Sequence, residues 1–303
     1  MSRVMDDQET RATEEKVREY LLARGAEEKW IELSHGRSRY LERPGDGPPV
    51  VLVHGYAYAG GADRLMWLMP HLAHHYHVYA IDLLGWGMGD RPKFEHSSAV
   101  HIVDSLGELL DALQLPRVHL VRHCFGARMA LNFTYQSPHR VMSVVAAAVT
   151  TRASTNTVHT PESFKFAPSA AKLGEGTRKQ MGNTPGIDYE EMNDWSWRNH
   201  QVPGMTEAFR KFLSHIHDPT QKIQGDLLRR RWAGIDTPIL LVWADADPTG
   251  PLEDGLAIHA AMPSSRLVKW KGNHFFPQVE DAAFAELVMS FLDEHSDASS
   301  AHP

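Results

Sequence analysis

The chain has 303 residues, of which 42% are hydrophobic, enough to bury a sizeable core in one large domain or in a domain with an insertion. Its formal net charge of −7, with no basic stripe, argues against a nucleic-acid partner. A single cysteine cannot form an internal disulfide, which favours a reducing compartment. No segment is apolar enough for a membrane span or a signal peptide, so we expect a cytoplasmic protein. We expect it to be a monomer or a homodimer.

In the first half of the chain, segments typical of strands alternate with segments typical of helices. Residues 1–27 predict a helical extension that contains an amphipathic helix, and two edge strands of alternating polarity follow it. Beyond them, apolar runs that indicate strands buried on both faces alternate with helices, which predicts a parallel sheet wrapped by helices. These strands are expected at 49–55, 77–83, 118–124 and 141–149, and the helices between them at 62–75, 98–114 and 125–136.

The alternation stops at residue 150 and resumes near residue 235. Residues 151–234 hold amphipathic, helix-sized segments separated by Pro and Gly, which predicts a helical cap inserted after the sixth strand. Residues 28–150 and 235–296 would then form one α/β core, and 297–303 a disordered tail. The aromatic side chains of the predicted cap would line a pocket, form the cap's own core, or do both: Phe164, Phe166, Trp195, Trp197, Phe209 and Phe212.

Three side chains with catalytic chemistry follow predicted strands of this sheet. Cys124 comes at the end of one apolar run. Asp247 and His274 come at the ends of the last two expected strands, 237–247 and 265–272. The carboxyl ends of parallel strands meet at one edge of the sheet, where ligands bind. A thiol beside an imidazole can attack a carbonyl group, and a carboxylate can orient the imidazole. Cys124 is therefore either a nucleophile or, as free cysteines often are, an inert buried side chain.

Four segments at these strand ends resemble, in chain order, the α/β-hydrolase superfamily, and the resemblance covers about residues 28–294. LVHGYAYAG resembles the family's oxyanion loop, and AIDLLGWGMGDRP resembles its Asp-x-x-Gly-x-Gly-x-Ser-x-x-Pro segment, with Gly89 where serine is usual. WADADPTGP resembles the acid loop, and KGNHFFPQVEDAAFAELV resembles the histidine loop. The similarity to capped esterases, epoxide hydrolases and carbon–carbon hydrolases implies a mainly parallel, twisted sheet flanked by helices.

The resemblance implies a triad of Cys124, His274 and Asp247, with cysteine in place of the usual serine, as in dienelactone hydrolases. Asp245 is the alternative acid. A dehalogenase or an epoxide hydrolase is disfavoured, because those relatives carry aspartate at the nucleophile position. The backbone N–H groups of Tyr56 and Phe125 are expected to hold the developing oxyanion. His54 would either brace the oxyanion loop or contact substrate, and the other residues expected at the substrate are Gly55, His123, Trp195, Trp197 and Phe275.

Arg122 departs from the family's Gly-x-Ser-x-Gly pattern, in which small residues flank the nucleophile because the turn is tight. Gly126 and Ala127 keep the pattern on the helix side of the turn. On the strand side, Arg122 either shifts the turn, activates the thiol through its charge, or marks an engineered or degenerate site. The sequence alone leaves these three alternatives open.

Two functions remain open at this stage. The first is a hydrolase or acyl-transfer enzyme that cleaves an ester, lactone, thioester or carbon–carbon bond of a small, largely apolar substrate through Cys124. The second is an altered member of the fold that binds a small ligand, or acts without a covalent intermediate. No cofactor is expected. The histidine-rich segment HLAHHYH (71–77) predicts no metal site, because no nearby carboxylate would support the histidines as ligands.

Overall fold

The protein is seen here in a computed structural model that describes residues 7–92, 99–149, 169–181, 184–216, 230–247 and 250–296. Phe164, Phe166, the first part of the predicted cap and the predicted disordered tail lie outside these ranges.

An eight-stranded sheet forms the centre of the protein. Its strands are β1 (Glu27–Leu33), β2 (Gly36–Arg43), β3 (Pro49–Val53), β4 (His77–Ile81), β5 (Val118–His123), β6 (Val141–Ala147), β7 (Ile239–Ala244) and β8 (Ser265–Trp270). In the sheet they lie in the order β1-β2-β4-β3-β5-β6-β7-β8. The first two strands form an antiparallel hairpin that continues antiparallel onto β4, and all pairings among β3 to β8 are parallel. The predicted α/β fold with a mainly parallel sheet is therefore confirmed.

The central parallel strands are buried on both faces, which explains why their sequences are nearly continuous apolar runs. Every residue of β3 (PVVLV) and of β7 (ILLVWA) is buried. Side chains alternate between the two faces of a strand, so Val51 and Val53 enter one hydrophobic core while Val50 and Leu52 enter the other. This double burial fixes the register of the sheet and, with it, the positions of the loops at the carboxyl ends of its strands.

Helices cover both faces of the sheet, and they differ from the sequence expectation in two places. The segment predicted as one helix at 62–75 is a 3-10 helix, Ala62–Leu68, followed by a single α-turn that has Pro70 near its start. A four-residue helix directly after the histidine loop was not predicted. The α-helices are α1 (Asp7–Ala23), α2 (Met69–Leu72), α3 (Ala99–Ala112), α4 (Phe125–Gln136), α5 (Ala170–Met181), α6 (Tyr189–His200), α7 (Met205–Ile216), α8 (Leu252–Ala261), α9 (Phe276–Val279) and α10 (Asp281–Asp293).

Three of these helices, α5 to α7, lie between β6 and β7 in the chain, where the sequence predicts the cap. Ion pairs join α6 to the N-terminal helix, from Lys16 to Glu190 at 2.9 Å and from Arg24 to Glu191 at 2.7 Å. The cap limits of 151 and 234 stay a prediction. Across the part of the chain that the structure describes, no helix combines the length and the apolar character that crossing a membrane requires.

Candidate active site

Cys124 occupies the sharp turn between β5 and α4. Its backbone has φ 58° and ψ −123°, a conformation that a residue with a side chain rarely adopts and that marks local strain. The next residue begins α4, so the thiol lies at the positive end of the helix dipole. A Cβ on Gly126 would lie 2.4 Å from the carbonyl oxygen of His54, so only glycine fits there.

His274 lies between Asp247 and Cys124. Its Nδ1–H donates to Asp247 Oδ2 at 2.7 Å, and the ring also forms a hydrogen bond with Cys124, which leaves Nε2 facing the sulfur. The second oxygen of Asp247 accepts from the backbone N–H of Gly250 at 3.2 Å. Asp245 instead accepts from the N–H of Gly272 at 2.9 Å and ties the two loops together. The carboxylate that contacts the imidazole is therefore that of Asp247.

The charges within this group favour a protonated His274. Burial by itself lowers the pKa of His274, but the Cys124 thiolate, together with the hydrogen bonds to Asp247 and Cys124, raises that pKa well above its usual range. A thiolate and an imidazolium that stabilise each other in this way form a nucleophile that needs no further deprotonation. The side chains of His274 and Asp247 are almost completely buried, so solvent screens the pair little.

Two backbone N–H groups are available beside the sulfur. Within the described ranges, neither Tyr56 N–H nor Phe125 N–H donates a hydrogen bond to another residue. The loop of Tyr56 lies directly on the candidate nucleophile, because a Cβ on Gly55 would be 2.8 Å from the Cβ of Cys124. The Tyr56 and Phe125 rings pack edge to face at 6.2 Å. Such a pair of unpaired donors is suited to an oxyanion.

The comparisons with known proteins agree with this architecture. A family model described as the alpha/beta hydrolase family matches residues 50–287, which is most of the chain. The chain belongs to the alpha/beta hydrolase family.

Members of this family with assigned activities are among its relatives. The 2-hydroxy-6-oxo-2,4-heptadienoate hydrolase of Pseudomonas putida is 29% identical over 271 residues, covering 86% of this chain and 94% of that protein. An uncharacterised protein of Mycobacterium tuberculosis is 29% identical over 283 residues, covering 86% of this chain and 79% of that protein. The crystal structure of a meta-cleavage product hydrolase from Pseudomonas fluorescens matches with a TM-score of 0.73 at 22% identity, and the match covers 88% of this chain and 97% of that one. Family membership with a hydrolase relative indicates that this protein is a hydrolase.

Two of the histidines expected at the substrate have structural roles in this alpha/beta hydrolase. His54 donates from Nδ1 to the carbonyl oxygen of Gly55 at 2.6 Å and accepts at Nε2 from the N–H of Leu83 at 3.1 Å. Both ring nitrogens are thereby used, so His54 braces the oxyanion loop. His123 is buried and hydrogen-bonds the backbone of His274. Substrate contact by either imidazole has no support in these positions.

The aromatic residues expected at the substrate separate into two groups. Phe275 packs edge to face on His274, with 5.3 Å between ring centroids. Trp195 instead contacts Tyr20 of the N-terminal helix at 6.5 Å, and Trp197 stacks on His200 at 5.4 Å. Ring contacts therefore join Phe275 to the triad, whereas those of the two tryptophans go to Tyr20 and His200. The position of Trp195 follows from the way α6 packs on α1, which no local sequence pattern reveals.

An aromatic cluster covers the two candidate oxyanion residues. Phe212 of α7 lies 5.7 Å from Tyr56, 5.1 Å from Phe125 and 4.6 Å from Trp86, measured between ring centroids. No sequence pattern singles out Trp86 as a site residue, although it lies within the AIDLLGWGMGDRP segment. Its indole N–H is buried and has no hydrogen-bond partner in the described part of the chain. The surroundings of Cys124 are therefore apolar and largely shielded from water.

Arg122 lies in the middle of the hydrophobic core. The residue is 1% exposed, and none of its three guanidinium nitrogens has a partner in the described ranges. Burial alone lowers the pKa of Arg122, to about 9, whereas the Cys124 thiolate affects the pKa values of His274 and Tyr56. Activation of the thiol by Arg122 therefore has no support in this geometry. The turn keeps its strained backbone at Cys124 beside this large side chain, and Gly126 keeps its close approach to the carbonyl oxygen of His54 on the helix side.

Proposed function

We propose that this hydrolase cleaves its substrate through a covalent intermediate on Cys124, with His274 as the acid and base and Asp247 as the group that orients it. The observation that supports this most directly is the single imidazole that contacts both a carboxylate and the sulfur of a strained turn. The N–H groups of Tyr56 and Phe125, which have no partner in the part of the chain that the structure describes, lie next to that sulfur and would hold the oxyanion.

The first half of the proposed reaction forms a thioester. The Cys124 thiolate attacks the carbonyl carbon, and the electron pair of the carbonyl bond moves onto its oxygen, which the two N–H groups stabilise. When this intermediate collapses, the bond to the leaving group breaks, and the imidazolium of His274 gives its proton to the leaving oxygen. The products of this half are the free alcohol and an acyl group on the sulfur of Cys124.

The second half restores the enzyme. His274, now neutral, takes a proton from water, and the hydroxide attacks the thioester carbon. The carbon–sulfur bond breaks, so that the carboxylic acid leaves and the thiolate–imidazolium pair forms again. An amine or thiol that replaced water would make the same chemistry an acyl transfer.

The surroundings of Cys124 favour a small, largely apolar acyl group. Tyr56, Phe125 and Phe212 form an aromatic wall over the sulfur, and Phe275 covers His274. Since the relative from Pseudomonas putida is named for a 2-hydroxy-6-oxodienoate, a carbon–carbon bond next to a ketone is one candidate for the bond that breaks. Short-chain p-nitrophenyl esters and a 2-hydroxy-6-oxodienoate are therefore the first substrates to test.

Alkylation of the only cysteine tests the nucleophile directly. Because the pKa of His274 is raised, the imidazolium persists through neutral pH, and iodoacetamide should react with Cys124 quickly and at a nearly constant rate from pH 6 to pH 8. In His274→Ala the counter-ion is lost, so the rate should be low at pH 6 and should rise steeply towards the ordinary thiol range of about 8.5. Intact mass spectrometry during ester turnover should reveal an acyl-thioester.

Two substitutions of Cys124 test the proposed nucleophile by turnover. Cys124→Ala should abolish turnover, and Cys124→Ser should retain at most a small part of it, because His274 must then deprotonate a far weaker acid. Undiminished turnover in Cys124→Ala would contradict the proposal. If wild-type and His274→Ala proteins were alkylated equally slowly and formed no acyl-enzyme, this hydrolase would instead act without a covalent intermediate on Cys124.

A further inference from the structure

His123 precedes the candidate nucleophile, and its imidazole packs against the loop that carries His274. Its Nε2 lies 2.9 Å from the backbone carbonyl oxygen of His274, and the two ring centroids are 4.5 Å apart with an interplanar angle of 49°. A carbonyl oxygen only accepts hydrogen bonds, so Nε2 carries the proton and donates it. This contact joins residues 151 positions apart in the chain.

We propose that His123 is a positioning residue for His274, holding the backbone and the ring of that histidine so that Nε2 stays directed at the sulfur of Cys124. The inference rests on the function proposed above for Cys124 and His274. His123 suits this role because β5 lies in the middle of the sheet, where His123 pairs with Ala147 of β6. A group held by a central strand is placed more rigidly than one held by a loop.

The protonation state of His123 supports the same role. The charged groups that face it are His274 and Asp247. Burial, followed by the positive charge of His274, lowers the pKa of His123 to about 3, against the smaller effects of its hydrogen bond and of Asp247. His123 therefore remains neutral and keeps one tautomer wherever the enzyme is folded, so its hydrogen bond to the His274 carbonyl does not depend on pH. A neutral ring also avoids repelling the imidazolium beside it.

Three variants separate this role from a general effect on packing. His123→Gln keeps an amide N–H near the position of the imidazole Nε2, whereas His123→Met has a similar length but no donor. His119→Met is the matched control, because His119 is also buried in β5 but hydrogen-bonds Ser143 at 2.8 Å, at the opposite end of the strand. Each variant is measured for kcat and KM on a p-nitrophenyl ester, and for the rate of Cys124 alkylation against pH.

His123→Met should lower kcat by about tenfold to a hundredfold, because small displacements of a catalytic group cost that much, while KM changes little. Its alkylation rate at pH 6 should fall, and the alkylation profile should move towards that of His274→Ala. His123→Gln should recover most of both quantities. His119→Met should lower stability at most, and should leave kcat and the alkylation profile at their wild-type values.

The proposal is overturned if His123→Met matches His119→Met in kcat and in alkylation, or if His123→Gln performs no better than His123→Met. Alkylation needs no substrate, and NMR titration of the His274 ring needs neither substrate nor turnover. If the protein turned over no ester and no 2-hydroxy-6-oxodienoate and formed no acyl-enzyme, the proposed function would fail, yet an altered His274 titration in His123→Met alone would still support the positioning role. An unaltered His274 titration in that variant would contradict the positioning role.

Discussion

Replacing Arg122 with methionine should make this protein more stable, which is an unusual outcome for a core substitution. The guanidinium is buried with no partner in the described ranges, and burial lowers its pKa from 12.5 to about 9. At about 1.4 kcal/mol for each pKa unit, burial disfavours the charged form by about 5 kcal/mol. Local relaxation reduces this penalty, so Arg122→Met should raise the free energy of unfolding by about 2–4 kcal/mol.

Urea and thermal unfolding at pH 7.5 measure the change, and the thermal midpoint should rise by about 3–6 °C in a chain of this size. The sign of the pH dependence follows from the lowered pKa. Above about pH 9 the folded state releases the Arg122 proton while the unfolded state keeps it. The free energy of unfolding of the wild-type protein should therefore rise with pH relative to that of Arg122→Met. The difference between the two proteins should therefore shrink above pH 9.

Arg39→Met provides the contrast. Arg39 is equally buried, but its guanidinium donates twice to Asp82, at 2.8 Å from Nε and 2.8 Å from Nη2. Removing it would leave a buried carboxylate unpaired, which should lower stability by about 3–5 kcal/mol. If Arg122→Met were as destabilising as Arg39→Met, or if its effect did not change above pH 9, the unpaired charge inferred for Arg122 would be refuted.

Two further predictions concern the acid and the turn. Asp247→Asn should lower ester turnover at least about a hundredfold, because an amide no longer orients and stabilises the imidazolium. Asp245→Asn should have a small effect. Steady-state kinetics of the two variants measure the difference, and a larger loss in Asp245→Asn would contradict the assignment of Asp247. Gly126→Ala should destabilise the protein by about 1–3 kcal/mol, since its Cβ would lie 2.4 Å from a carbonyl oxygen. Gly234→Ala is the control, because its Cβ would meet only an ordinary 3.5 Å contact, and equal unfolding midpoints in the two variants would count against the close approach.

Much of the fold follows from the sequence because hydrophobic patterning acts locally. The predicted helix at 125–136 is α4 (Phe125–Gln136), and the apolar runs at 118–124 and 141–149 are β5 and β6, with ends shifted by one or two residues. The segment at 62–75 was less well predicted. Its apolar spacing is compatible with several helical forms, and only packing on the sheet selects a 3-10 helix followed by one α-turn.

By itself, the sequence determined the alternation of strands and helices. It also placed Cys124, Asp247 and His274 at the carboxyl ends of strands, and in a parallel sheet the loops that follow those ends all lie at the same edge. Only the tertiary structure decided which carboxylate contacts the imidazole, that His54 and His123 hydrogen-bond to backbone, and that Arg122 is buried with no partner among the described residues. The periodicity of a sequence specifies which face a side chain takes on its own strand. Its partners lie on other elements, often more than a hundred residues away, so their distances exist only once the sheet and helices have packed.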